Sequence, residues 1–192
     1  MKKVILGLVA GALMLAGGAA MAGDSVSFDY ASKQKSGVTE QHDVIGVNAG
    51  TTVGKFGLEG RMEDEIVHDP SKHEGLAQVK GSYPIGTWYK VTPYVAAGVG
   101  YKSKATSNFS YYLAEGGVKY PLLPTVDLKA AVRIRSPFNE GTMGSGNKYR
   151  TVEESLGASW KFYGKNALTA KYAYEHGDSK YHTWGVGVAH SF

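Results

Sequence analysis

Trp184-Gly185-Val186-Gly187-Val188-Ala189-His190-Ser191-Phe192 closes the chain in strict alternation. Trp184, Val186, Val188 and Phe192 are bulky and apolar, whereas Gly185, Gly187, Ala189 and Ser191 are small or polar. Successive side chains of a strand point to opposite faces, so the stretch predicts a strand with one face against an apolar medium. His190 falls on the apolar face near the end, where an interface tolerates it.

The same pattern recurs upstream. Its clearest copy sets Val126, Leu128, Ala130, Val132 and Ile134 against Asp127, Lys129, Ala131, Arg133 and Arg135. Further copies run near residues 25–31, 44–52, 56–63, 77–83, 94–101, 112–120, 153–162 and 168–175. With the last segment they make about ten strands, and merging two weak ones would give eight. The breaks alternate in kind. Those at 53–55, 84–90, 121–125 and 163–166 are compact and carry Gly, Pro or Asn turn chemistry, while 32–41, 64–73, 102–108 and 136–148 are longer and polar. The break at 177–179 is a short exception.

One face of nearly every segment is wholly apolar and the other is small or charged. A soluble barrel with that inner face would have no hydrophobic core, so the apolar faces are assigned to lipid. Tyr83, Trp88, Tyr120, Trp160, Phe162 and Phe192 then gather near one end of the strands, and Tyr30, Tyr101, Tyr112, Tyr174 and Trp184 near the other. Those are two aromatic girdles. The expected fold is all-β, a transmembrane antiparallel up-and-down barrel. The ending resembles the C-terminal strand of Gram-negative outer-membrane barrels, which implies that Phe192 is read by the barrel-assembly machinery. Short turns would be periplasmic, and an even strand count puts both termini there.

The start of the chain agrees. Lys2-Lys3, an apolar stretch from Val4 and the small-x-small triplet Ala20-Met21-Ala22 read as a cleaved signal peptide over 1–22, leaving a barrel over 23–192. The chain has no cysteine, which excludes disulfides and thiolate metal sites. Without Lys2 and Lys3, 19 basic residues (21 less 2) face 17 acidic ones. That near-balance gives no support to nucleic-acid binding.

By parity the lumen receives Arg61, Lys80, Lys119, Lys129, Arg133, Arg135, Lys161 and Lys171, together with Asp29, Glu59, Glu63, Glu115, Asp127, Glu153 and Glu175. Buried charges must pair or stay wet. Inner-face glycines at 57, 98, 100, 117, 157, 185 and 187 favour an incompletely filled lumen. The basic run Lys129, Arg133 and Arg135, with Lys119 beside it, predicts a ladder facing an acidic strip of Glu59 and Glu63.

Basic ladders in a narrow barrel resemble the oligogalacturonate-specific porins, monomeric channels for acidic oligosaccharides. The resemblance covers the leader, the short strands, the basic lumen and the terminal Phe. It extends to no diagnostic motif, and about ten strands is two fewer than that family's twelve. The expectation is therefore a monomeric narrow channel for small polar or anionic solutes, embedded among outer-membrane lipid and lipopolysaccharide. Arg61, Lys80, Lys119, Lys129, Arg133, Arg135, Glu59, Glu63 and Glu115 would line the path. The alternative is a non-conducting barrel with a salt-bridged lumen and functional outer loops.

Catalysis, cofactors and metals are not expected. Glu175-His176-Gly177-Asp178-Ser179 holds the residue types of a triad, but triad members meet in space and seldom in one turn, so the segment reads as a hairpin tip. His68 and His73 share a predicted acidic loop with Glu63, Asp64, Glu65, Asp69 and Glu74, which reads as solvated. The longest predicted loop, 136–148, could fold inward or project outward.

Overall fold

The computed structural model describes residues 24–68, 72–104, 108–138, 150–177 and 180–192. Ten strands run in chain order: β1 (Ser25–Lys35), β2 (Gln41–Val53), β3 (Phe56–Val67), β4 (Lys72–Pro84), β5 (Thr92–Ser103), β6 (Asn108–Leu123), β7 (Val126–Pro137), β8 (Thr151–Tyr163), β9 (Asn166–His176) and β10 (Tyr181–Ser191). Each pairs antiparallel with its sequence neighbours, and β1 pairs with β10 to close the barrel. Closure leaves no open edge, the condition a sheet must meet in hydrocarbon, where water cannot satisfy backbone groups. The seam runs from Ser25 opposite Ser191 to Lys35 opposite Tyr181, and the Phe192 amide donates to the Asp24 carbonyl at 2.9 Å.

Side-chain burial follows the parity of the sequence. Phe28, Leu156, Trp184 and Val186 are each more than half exposed on the outer face. Glu115, Arg133, Glu153 and Lys80 are buried on the inner one. Tyr112 and Tyr120 stand at the two rims of the apolar band on β6. Eight steps of roughly 3.4 Å at a tilt near 40° put them about 21 Å apart across the membrane, close to the usual band height.

Three of the predicted long loops are shorter than expected. β1 continues to Lys35, β3 to Val67 and β5 to Ser103, while β2 and β4 begin at Gln41 and Lys72. In these extensions most outward residues, including Gln34, Asp43 and Asp64, are polar, Ile66 being the exception. The wall has risen out of the apolar layer, so the apolar–polar contrast that marks a strand is lost. Glu63, Asp64 and Glu65 thus belong to β3, and His73 and Glu74 to β4, not to one acidic loop. Parity sends Glu63, Glu65 and Glu74 inward, and Asp64 and His73 outward, where they pair at 3.4 Å. Asp69 lies outside the described residues, as do most of the 136–148 loop and the leader.

The turns at the opposite rim are tight. Gly54, Gly164 and their lysine neighbours make two-residue connections, with φ of 61° and 56° at the glycines. The stretch between β4 and β5 does not use its glycine this way. It folds into a small hairpin in which Trp88 bridges to Val91, and Tyr89 and Lys90 take the left-handed φ values of 48° and 71°. Bulges interrupt β6 at Pro121/Leu123 and β8 at Lys161/Tyr163, both beside this rim.

Candidate functional site in the barrel lumen

Nine of the fifteen predicted inner-wall charges meet in one connected network. Glu115 on β6 is its lower centre, with no exposed side-chain surface. Arg133 contacts it at 2.6 Å, Tyr94 donates to it at 2.8 Å, and the Lys129 and Lys80 ammonium groups stand 3.3 and 3.5 Å away. Lys80 also reaches Glu59 at 3.3 Å. A second centre is Glu153 on β8, which takes Lys171 at 2.7 Å, Arg135 at 2.8 Å and Arg133 at 3.6 Å.

From there charge alternates up the barrel. Arg135 pairs with Glu175 at 3.0 Å, Lys33 lies between Glu175 and Glu65 at 3.9 and 3.3 Å, and Lys102 bridges Glu65 and Glu74 at 3.1 Å each. Several of these contacts skip a strand: β4 to β6, β7 to β9, β1 to β3. They run through the lumen rather than along the wall. Among the remaining predicted residues, Arg61 and Glu63 pair with each other, Lys161 meets Asp127 at 2.9 Å at an exposed site, and Lys119 stands 5.5 Å over the Tyr94 ring. Asp29 accepts hydrogen bonds from Ser27 and Asn48.

The geometry changes two expectations. The basic ladder on β7 does not face Glu59 and Glu63 as an opposed strip, because Glu115, Glu153 and Glu175 from β6, β8 and β9 interleave with it. Nor do all inner glycines leave space. The Tyr111 ring lies on Gly100 and the Tyr94 ring on Gly117, so closely that a Cβ at either glycine would collide with it. Glycine there lets an aromatic ring lie flat and fill the lumen. Gly157 is different, since a Cβ would make only an ordinary contact with the Ala170 carbonyl at 3.6 Å.

The upper half of the lumen keeps a cavity of about 130 Å³ bordered by Arg61, Glu63, Arg135 and Glu153. The mouth above it holds about 360 Å³ walled by Lys33, His42, Glu65, Glu74 and Lys102. Sequence reasoning missed this upper tier because it ended the strands early. Its signal was continued alternation of charged inner positions, Lys33 and Lys35 on β1 and Glu63 and Glu65 on β3.

In the triad-like segment the two described members point apart. Glu175 faces the lumen, tied to Arg135, and His176 falls on the opposite face of the strand. Asp178 and Ser179 lie outside the described residues. Among the described residues no group of three His, Asp or Glu side chains is placed to hold a metal ion.

The closed, inside-out sheet defines an outer-membrane-type β-barrel. No family model matches the chain, and no curated protein matches it. The translocator domain of the autotransporter NalP from Neisseria meningitidis shares the fold, with a TM-score of 0.52 at 15% identity over 88% of this chain and 87% of that one. The structural neighbours also include two porins. One is the KdgM porin in complex with disordered oligogalacturonate, with a TM-score of 0.49 at 10% identity over 88% of this chain and 99% of that one. The other is the NanC porin, with 0.48 at 11% identity over 88% and 100%.

Proposed function

We propose that the protein sits in the outer membrane with periplasmic termini, and that it acts as a narrow passive channel for small polar or anionic solutes. One observation carries this reading: among the described residues the lumen is packed most densely against one side of the wall. Gln78, Lys80, Tyr94, Tyr111, Leu113, Glu115 and Arg133 bury themselves against the β4–β7 wall. On the facing arc, Gly157 of β8, Gly185 of β10 and Gly46 and Gly50 of β2 send no side chain inward, while Glu153 and Ala173 fill part of it. Lys171 of β9 keeps 35% of its side chain exposed, and Lys129 of β7 keeps 40% on the periplasmic side.

On this reading the path is an eyelet beside a plug, passing ions and small solutes through the 130 Å³ cavity and the 360 Å³ mouth above it. Its chemistry is binding and steering, with no bond made or broken. Arg61 Nε and Arg135 Nε are buried without an acceptor among the described residues, the kind of group that ordered lumen water satisfies. The two partly exposed lysines supply a modest anion preference.

Planar-bilayer recording tests this. Reproducible conductance steps are expected, reduced severalfold by Gly157→Leu, with anion preference lowered by Lys171→Ala and Lys129→Ala. The sealed-platform reading draws on the fully buried Glu115. Silence of the folded wild-type protein under all salts and voltages would favour it and end the channel reading.

A further inference from the structure

His42 sits at the mouth of the barrel with 4% of its surface exposed and a carboxylate on each ring nitrogen. Nδ1 is 2.5 Å from Glu65 of β3, and Nε2 is 2.8 Å from Glu40 of the 36–40 turn. A carboxylate only accepts, and a neutral imidazole has one N–H, so both contacts form together only when the ring carries two protons. The arrangement as it stands is that of an imidazolium. We propose that His42 is a pH-operated latch: protonated, it ties the β1–β2 turn through Glu40 to the lumen network at Glu65, and on losing a proton it releases the turn and leaves the mouth more negative.

The other charges facing this cluster decide which arm lets go. Glu65 is also held by Lys33 of β1 and Lys102 of β5, so it stays with the network when the ring becomes neutral. Tyr181 of β10 packs edge-on against the His42 ring at 5.6 Å and carries Lys33 over its face at 4.2 Å. Lys72 and Glu74 of β4 and Lys104 after β5 line the same cavity, and Glu175 of β9 meets Lys33. Among the described residues Glu40 has one other side-chain partner, Lys35 at 3.0 Å, within its own hairpin. Glu40 is therefore the arm that detaches. The turn stays closed as a hairpin, held by the Lys35 amide on the Glu40 carbonyl and at its start by the Ser36 amide on the Lys180 carbonyl, but its Glu40 end loses the side-chain tie to β3.

This deepens the channel reading by naming its regulation, yet the latch can be tested without conduction. The chain has no cysteine, so Val38→Cys, at an exposed position in the turn, gives a single nitroxide site. Spin-label mobility is read in lipid nanodiscs from pH 5 to 9. The label is expected to be restrained at low pH and freed as pH rises above the ordinary imidazole range, because the two carboxylates favour the charged ring. Adding His42→Gln should abolish the transition. Glu40→Gln, which leaves the His42–Glu65 pair in place, should free the turn across the range. Mobility that does not change with pH, or a transition that persists in both variants, overturns the latch. Bilayer conductance of the same proteins separates the two readings, because a silent barrel with an intact label transition sinks only the channel. If the barrel conducts, its cation preference should rise with pH in the wild type and stay flat in the His42→Gln variant.

Discussion

Arg133 of β7 holds Glu115 of β6 at 2.6 Å, and no part of that carboxylate side chain reaches solvent. The pair is one link in a chain of alternating charge that runs Glu59, Lys80, Glu115, Arg133, Glu153, Arg135, Glu175, Lys33, Glu65, Lys102 and Glu74. Each interior member has an opposite charge on either side, so cutting the chain strands charges where water is scarce.

Glu115→Gln should therefore destabilise the barrel strongly, leaving Arg133 and Lys80 buried with too little counter-charge. Removing one partner of a buried network typically costs about 3–5 kcal/mol. Urea unfolding from lipid vesicles, followed by the gel shift between folded and heated protein, measures it. A loss below about 1 kcal/mol, the scale of exposed pairs, would mean the site is wetter than its burial indicates.

Tyr111 and Gly100 form a packing pair, and the two should couple. Gly100→Ala pushes a methyl into the ring and should cost about 1–3 kcal/mol. In a Tyr111→Ala background the same change should cost much less, since the obstacle is gone. A double-mutant cycle with no coupling would show that the ring does not lie on the glycine.

Leu156 and Val186 face outward in the middle of the apolar band. Replacing either by Arg should cost about 2–4 kcal/mol of folding stability in bilayers, falling toward zero for Arg at Ser32 near the rim. Refolding into vesicles at graded urea gives the values. Equal costs at all three positions would contradict the assignment of that face to acyl chains.

The 36–40 turn should also loosen at the acid end. Hydrogen bonds from Lys35, and then from His42, hold the Glu40 carboxyl below its ordinary range. A carboxylate lowered on folding stabilises above its unfolded value and loses that contribution as pH falls through the folded one. With the latch above, the label at residue 38 should be most restrained at mildly acidic pH and freer on both sides. The Glu40→Gln variant should lose the acid limb of that profile.

The alternation in β10 and β7, the placement of Tyr112 and Tyr120, and the parity of Arg133, Glu115 and Glu153 could all be read from the chain. Inside lipid each strand must be greasy on one face and each lumen residue must not be, so the contrast is written at every second position. Beyond the lipid layer that contrast vanishes. Lys33, His42, Glu65 and Lys102 then look like loop residues, although hydrogen bonding carries the strands past them.

The sequence by itself determined which face meets lipid and which charges point inward, because both follow from a period of two within one strand. Tertiary structure alone decided who meets whom. Lys33 finds Glu65 and Glu175, and Tyr111 covers Gly100, only once ten strands close with a particular register. Contacts that skip a strand depend on the curvature and stagger of the whole barrel, which no local stretch of sequence encodes.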